Sequence, residues 1–160
     1  MHGNRSDRPQ YPHSARVWNH WLRGKDNYPA DHAVGEKLKE MMPSAVISAR
    51  TDREFLERVV NHMVCDRKVT QSLDVGTGLP TANNTHEVAQ AANPSSRIVC
   101  VDNDPLVLAH ARALLTSTDE GSTDYLHADV HDPEEILTGA RGTLHAGRDV
   151  SQLAAVARKP

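Results

Sequence analysis

The chain has 160 residues, of which 38% are apolar, 24% charged and only 4% aromatic, enough for one domain whose core is built from Val, Leu, Ile and Ala. A net charge of −3 and a pI near 6.3 give no broad attraction to nucleic acid or to an anionic membrane. No stretch approaches the ~18 apolar residues of a membrane span, so neither nucleic acid nor membrane is expected as a partner.

Residues 1–13 are polar, rich in Pro, Arg and His, and read as a disordered arm without a signal peptide. The two cysteines, Cys65 and Cys100, show no metal or redox spacing, which fits a reducing cytoplasm. Ser14 is placed to cap a short helix whose Val17, Trp18, Trp21 and Leu22 share one face. Gly24 ends that helix, and the polar run Lys25-Asp26-Asn27 follows. A second helix is predicted over 31–42, stopped by Pro43. A third is predicted to start at the capping-box pair Thr51 and Glu54 and to carry Phe55, Leu56, Val59, Val60, Met63 and Val64 as an apolar stripe. Residues 14–66 are therefore expected to form an N-terminal helical cap.

From residue 71 the texture changes. Residues 71–75 read as a strand running into Gly76-Thr77-Gly78, and a helix follows near 85–92. Residues 98–101 are a short buried strand ending in Asp102, after which Asp104 and Pro105 open a helix. Residues 125–128 form a third strand ending in Asp129, and Asp132-Pro133 opens another helix. This alternation predicts an α/β, Rossmann-like parallel sheet with right-handed crossovers, its ligand lying beyond the carboxyl ends of the strands. Residues 67–138 would form this half-domain and 139–160 an irregular tail. Only the first three strands are expected, which leaves residues 71–75 as an open edge prone to self-association.

The glycine pair permits a sharp turn and close approach of a ligand to the backbone. A carboxylate at Asp102 can accept both hydroxyls of a ribose, the general acidic position of nucleoside-binding α/β folds. A carboxylate at Asp129 can accept the exocyclic amine of adenine. The dinucleotide pattern Gly-x-Gly-x-x-Gly is broken at Thr81. Asp74, two residues before the first glycine, opposes a pyrophosphate but suits an ammonium group. An adenosyl ligand bearing an amino acid, S-adenosylmethionine, is favoured over NAD on these grounds.

The run Leu73-Asp74-Val75-Gly76-Thr77-Gly78 resembles the first motif of class I methyltransferases, and Asp102-Asn103-Asp104-Pro105 and Ala128-Asp129 resemble their ribose and adenine motifs. A longer joint match is similar to one bacterial family, the S-adenosyl methyltransferases of unassigned substrate. It comprises Ser14-Ala15-Arg16, Trp18, Trp21, Gly24-Lys25-Asp26-Asn27-Tyr28, Thr77-Gly78-Leu79-Pro80-Thr81 and Asn84-Thr85-His86-Glu87-Val88-Ala89. The resemblance covers about residues 13–138. It implies cofactor contacts at Asp74, Gly76, Thr77, Gly78, Asp102, Asn103, Asp129 and Val130. It also implies a lid or substrate contact at Lys25, Asp26, Asn27 and Tyr28.

Two positions depart from the pattern. Arg23 stands where the family usually has glycine, and residues 139–160 lack the long apolar strand that the family carries next. A C-terminally shortened member is therefore expected, and no catalytic residue is named. His127 and His131 flank Asp129, but with no third ligand a solvated loop is the simpler reading and no metal is expected. Three functions follow: a methyltransferase acting on a small molecule, a non-catalytic adenosyl-binding fragment or subunit, and, less favoured, an NAD-dependent reductase.

Overall fold

The computed structural model describes residues 9–114, 116–145 and 150–153. In chain order these form α1 (Ser14–Trp21), α2 (Pro29–Met41), α3 (Ser44–Cys65), β1 (Gln71–Val75), α4 (Thr85–Ala92), β2 (Arg97–Asp102), α5 (Pro105–Leu114), β3 (Ser122–His127), α6 (Pro133–Ala140) and β4 (Val150–Leu153). All strand pairs are parallel and the sheet order is β3-β2-β1-β4. The expected α/β Rossmann-like sheet is present.

The register decides which residues face which layer. Leu73 lies opposite Val99, Asp74 opposite Cys100, and Cys100 opposite Tyr125. With side chains alternating across a strand, Ile98, Cys100 and Tyr125 fall on one face. There they pack with Val60 and Val64 of α3, Val88 and Ala89 of α4, and Ala111 of α5. Leu73, Val99 and Val101 fall on the other face, with Ala128, Leu144 and the α6 residues Ile136 and Ala140. β2 is buried on both sides, which explains its unbroken apolar run. On the α6 side Gly139 packs closely on β3, where an added Cβ would come 2.7 Å from the Leu126 methyl groups and push them aside.

The sheet corrects the sequence reading of three strands. A fourth strand, Val150–Leu153, pairs with residues 71–74 of β1, so β1 is an inner strand and the edges are β3 and β4. Four residues, Val-Ser-Gln-Leu, carry too weak an alternation to announce a strand. Their pairing comes from the unfilled edge of β1 rather than from their own propensity. The segment leading to it is also tied back: Gln71 accepts the His145 N–H through Oε1 at 2.6 Å and donates to the His145 carbonyl at 3.3 Å.

The cap differs in detail as well. Helix α3 begins at Ser44, not at Thr51, because nothing between Pro43 and Thr51 breaks a helix and Val46 and Ala49 pack with Val17 and Trp21. Thr51 and Glu54 thus lie inside it, and Phe55, read as part of the apolar stripe, is 59% exposed. Helix α1 is capped by His13, whose Nδ1 accepts the Ala15 N–H at 3.3 Å, rather than by Ser14. The arm expected over residues 1–13 falls outside the described residues up to residue 8. Its last residues are held, since the Tyr11 carbonyl accepts from Arg16 at 2.5 Å and the His13 N–H donates to Asp31 at 2.9 Å.

One buried ion pair organises the cap. Arg16 and Asp31 are 1% and 0% exposed, with Nε donating to Oδ2 at 2.9 Å. Asp31 also accepts the Tyr28 N–H at 2.8 Å, closing the first turn of α2, and Arg16 lies 5.2 Å from the centre of the Tyr28 ring. The two tryptophans, Trp18 and Trp21, sit 5.8 Å apart on α1, and the Trp21 indole donates to the Gly35 carbonyl at 3.2 Å.

Breaking a buried pair on one side strands the other charge, at a cost of about 3–5 kcal/mol. Asp31→Ala is therefore expected to lower unfolding free energy by about that amount, measured by urea denaturation. A change below about 1 kcal/mol would show that the pair does not hold the cap.

Candidate functional site

The carboxyl ends of β1, β2 and β3 lie side by side, and backbone bonds fix their loops. Gly76 and Gly78 take φ values of 80° and 69°, a conformation that glycine adopts without strain. The Gly76 and Thr77 N–H groups donate to the Val101 carbonyl at 2.8 and 3.2 Å, folding the turn onto β2. An added Cβ at Gly78 would meet nothing within 4 Å, so the turn faces open space.

Asp102 joins two loops. Its Oδ2 accepts the Gly78 N–H at 2.8 Å and its Oδ1 accepts the Asp104 N–H at 3.0 Å. Each oxygen keeps lone-pair capacity for a further donor. Asp104 in turn accepts the Leu106 N–H at 3.0 Å, capping α5 as the sequence suggests, and its other oxygen lies 3.3 Å from His13 of the cap.

Asn103 donates to Asp129 Oδ2 at 3.2 Å, linking the ends of β2 and β3. The other Asp129 oxygen accepts the His131 N–H at 2.9 Å and contacts His131 Nδ1 at 2.7 Å. These bonds, the His131 backbone N–H first, hold the Asp129 carboxyl at about 2. His127 turns instead to the Asn103 carbonyl at 3.1 Å, so the two histidines do not converge. Val130 is 61% exposed beside them.

Asp74 lies under the glycine turn and is 2% exposed. Its Oδ2 accepts from the Thr85 hydroxyl at 2.6 Å and the Thr77 hydroxyl at 3.1 Å, while Oδ1 is buried without a partner. Burial raises its pKa, against the two hydroxyl bonds and the nearby charge of Arg53. The start of α4 is acidic too, since Glu87 Oε2 accepts the Asn84 N–H at 2.9 Å. A carboxylate on the first turn and another beneath it make this helix start a poor pyrophosphate site.

The 25–28 loop is set by Asn19, which is 1% exposed. Asn19 Oδ1 accepts from the Asp26 N–H at 3.1 Å and Asn27 Nδ2 at 2.7 Å, and Nδ2 reaches the Pro80 carbonyl at 3.4 Å. Asp26 lies 3.7 Å from His110 of α5. The loop is thereby fastened to both the glycine-rich segment and α5. Tyr28 belongs to the packing of the cap rather than to this seam, and Lys25 is exposed. Gly24 has no room for a Cβ, which would overlap the Asn19 amide. Arg23 adopts φ 61°, which is why glycine suits that position.

Sequence reasoning missed Asn19, Asp31, Arg53 and Thr85. Thr85 stands inside a quoted motif, and Asp31 carries the signal of an acid at the third position of a Pro-started helix. Asn19 and Arg53 lie mid-helix with no local mark.

The whole of this arrangement lies within a match over residues 4–157 to a family model described as S-adenosyl methyltransferase. Two crystal structures are similar. One is a DUF574-family protein from Streptomyces avermitilis, 42% identical with a TM-score of 0.83, where the match covers 90% of this chain and 56% of that one. The other is a proposed methyltransferase from Thermobifida fusca, 41% identical with a TM-score of 0.79, covering 89% and 54%. The chain thus spans about half the length of these structures. Among curated proteins nothing matches.

Asp129 titrates at about 2 when folded, below the ~3.9 of a free aspartate. Its contribution to stability is therefore present above about 4 and is lost as pH falls toward 2. His131→Ala is expected to raise the carboxyl midpoint, read by carbon-13 NMR titration; an unshifted midpoint would mean that the imidazole bond contributes nothing.

Proposed function

The chain belongs to the S-adenosyl methyltransferase family, and from that premise we propose that its strand ends hold S-adenosylmethionine for methyl transfer to a small-molecule acceptor in the cytoplasm. The observation that carries this reading is the coupling of three strand ends through acidic side chains, with Asp102 bonded to Gly78 and Asn103 bonded to Asp129. Asp102 would accept the ribose hydroxyls with its remaining lone pairs. Asp129 would accept the adenine amine, with Asn103 holding it and Val130 offering an apolar wall. Gly76, Thr77 and Gly78 would let the ligand lie against the backbone. The unpartnered Oδ1 of Asp74 fits an ammonium donor, because a buried acceptor without a bond is costly.

When bound, the cofactor supplies an electrophilic sulfonium methyl. The task of the chain is then positioning and exclusion of water. Asp26 and Asn27, held by Asn19 and tied to α5 through His110, would close one side, with Lys25 and Tyr28 flanking them. An NAD-dependent reductase is disfavoured by Asp74 and Glu87, which oppose a pyrophosphate at α4. Free thiols at Cys65 and Cys100 support the cytoplasmic reading.

Calorimetry with S-adenosylmethionine and NAD tests the cofactor, and preferential NAD binding would overturn it. Incubation with a labelled methyl donor and a metabolite extract tests transfer. Tight cofactor binding with no labelled product would favour the non-catalytic reading. Asp74→Asn keeps the shape of the side chain and removes a charge whose burial is unfavourable. It is expected to leave the melting temperature unchanged or higher while weakening S-adenosylmethionine binding roughly tenfold, and an unchanged affinity would remove Asp74 from the site.

A further inference from the structure

Arg53 lies outside every motif above, and its position gives it a use. Helix α3 leads into β1 and is laid back along the sheet by the packing of Val60 and Val64 beside Ile98 and Cys100 and by the Glu57–Asn83 bond. From Arg53 to Cys65 the helix rises about 18 Å, close to the ~16 Å length of a five-residue strand. Arg53 therefore comes level with the carboxyl end of β1, where Asp74 and the glycine turn are. It shares a helix face with Leu56, Val60 and Val64, which pack against the core containing Cys100 and Tyr125. One turn on, Glu57 accepts from Asn83 at 3.0 Å, pinning this stretch of α3 to the loop before α4.

The guanidinium is half-buried, and among the described residues it makes no hydrogen bond or ion pair. Its strongest charge partner is Asp74, followed by Tyr125 and Glu87. Five N–H donors in a fixed fork match a carboxylate. Asp74 carries the buried carboxylate oxygen Oδ1. Among the described residues neither the guanidinium nor this oxygen has a hydrogen-bond partner, and a cationic donor set in the field of a buried acceptor fits the two charges of an α-amino acid.

We propose that Arg53 binds the carboxylate of the methionine end of the cofactor, so that Arg53 and Asp74 together recognise the amino-acid zwitterion. This rests on the adenosyl site proposed above. It makes Arg53 the residue that separates S-adenosylmethionine from adenosyl ligands lacking the carboxylate.

The test uses the full chain and two ligands, S-adenosylmethionine and its decarboxylated form, which keeps the sulfonium and the amine. By calorimetry the wild-type chain is expected to prefer S-adenosylmethionine by roughly tenfold or more, the scale of a hydrogen bond to a charged group. Arg53→Gln is expected to abolish that preference and Arg53→Lys to keep part of it. A role for Arg53 in stability alone would weaken both ligands equally and leave the preference intact, which would overturn the proposal. A wild-type chain that binds both ligands alike would overturn it without any variant. If the wild-type chain binds neither ligand, the adenosyl site itself fails and this assignment falls with it.

Discussion

The carboxylate of Asp102 is the fixed point of the molecule. It stands where β2 ends and accepts one backbone N–H from the glycine turn of β1 and another from the turn into α5. Hydrogen bonds to an ionised acceptor are about twice as strong as neutral ones, and these two hold together segments that the sheet alone leaves loose. The open space in front of Gly78 has a defined floor because of them. The strand-end acid Asp102 is therefore a structural brace in its own right.

The helical cap is held by a different kind of interaction. Arg16 and Asp31 are buried as a pair, with the remaining capacity of Asp31 taken by the His13 and Tyr28 N–H groups. The cap meets the sheet layer through the apolar face of α3, with Val60 and Val64 in the core beside Ile98 and Cys100, and through polar contacts: Asn19 to Pro80, His13 to Asp104, Asp26 to His110 and Asn83 to Glu57. The partly exposed ion pairs among these, His13–Asp104 and Asp26–His110, are worth little singly. The collective effect of the polar contacts is to set where the 25–28 loop sits, while the Arg16–Asp31 pair and the apolar cluster around Trp21 supply the cap with its stability.

The sequence was most informative where a local signal and a tertiary role coincide. The glycine turn, the buried run of β2 and the Asp104-Pro105 and Asp132-Pro133 helix starts are legible because glycine, β-branched residues and proline restrict the backbone directly. The start of α3 was not, because Thr51 and Glu54 mimic a cap inside an uninterrupted helix. β4 was not legible because its pairing depends on the edge offered by β1, which a four-residue window does not contain. Within the candidate site, Asp74, Asp102 and Asp129 are readable from their phase at three strand ends. Arg53 is not, because the carboxylate it faces, Asp74, comes near only on folding, and Asn19 is not, because it sits mid-helix and a folded loop is needed to bring Asp26, Asn27 and Pro80 to one amide. The positive φ of Arg23 supplies the reason that glycine is the usual residue there, something a pattern of letters records without explaining.

Both tryptophans of the chain are on α1, and Trp21 is buried against α2 and α3. Indole emission therefore originates wholly in the cap, whereas the parallel sheet is optically silent at that wavelength. A shift in fluorescence colour would follow detachment of the helical layer, and far-ultraviolet dichroism would follow the molecule as a whole. Noncoincident transitions by the two methods would mean that the layers melt separately, so the natural placement of two side chains provides a spectroscopic reporter without any label.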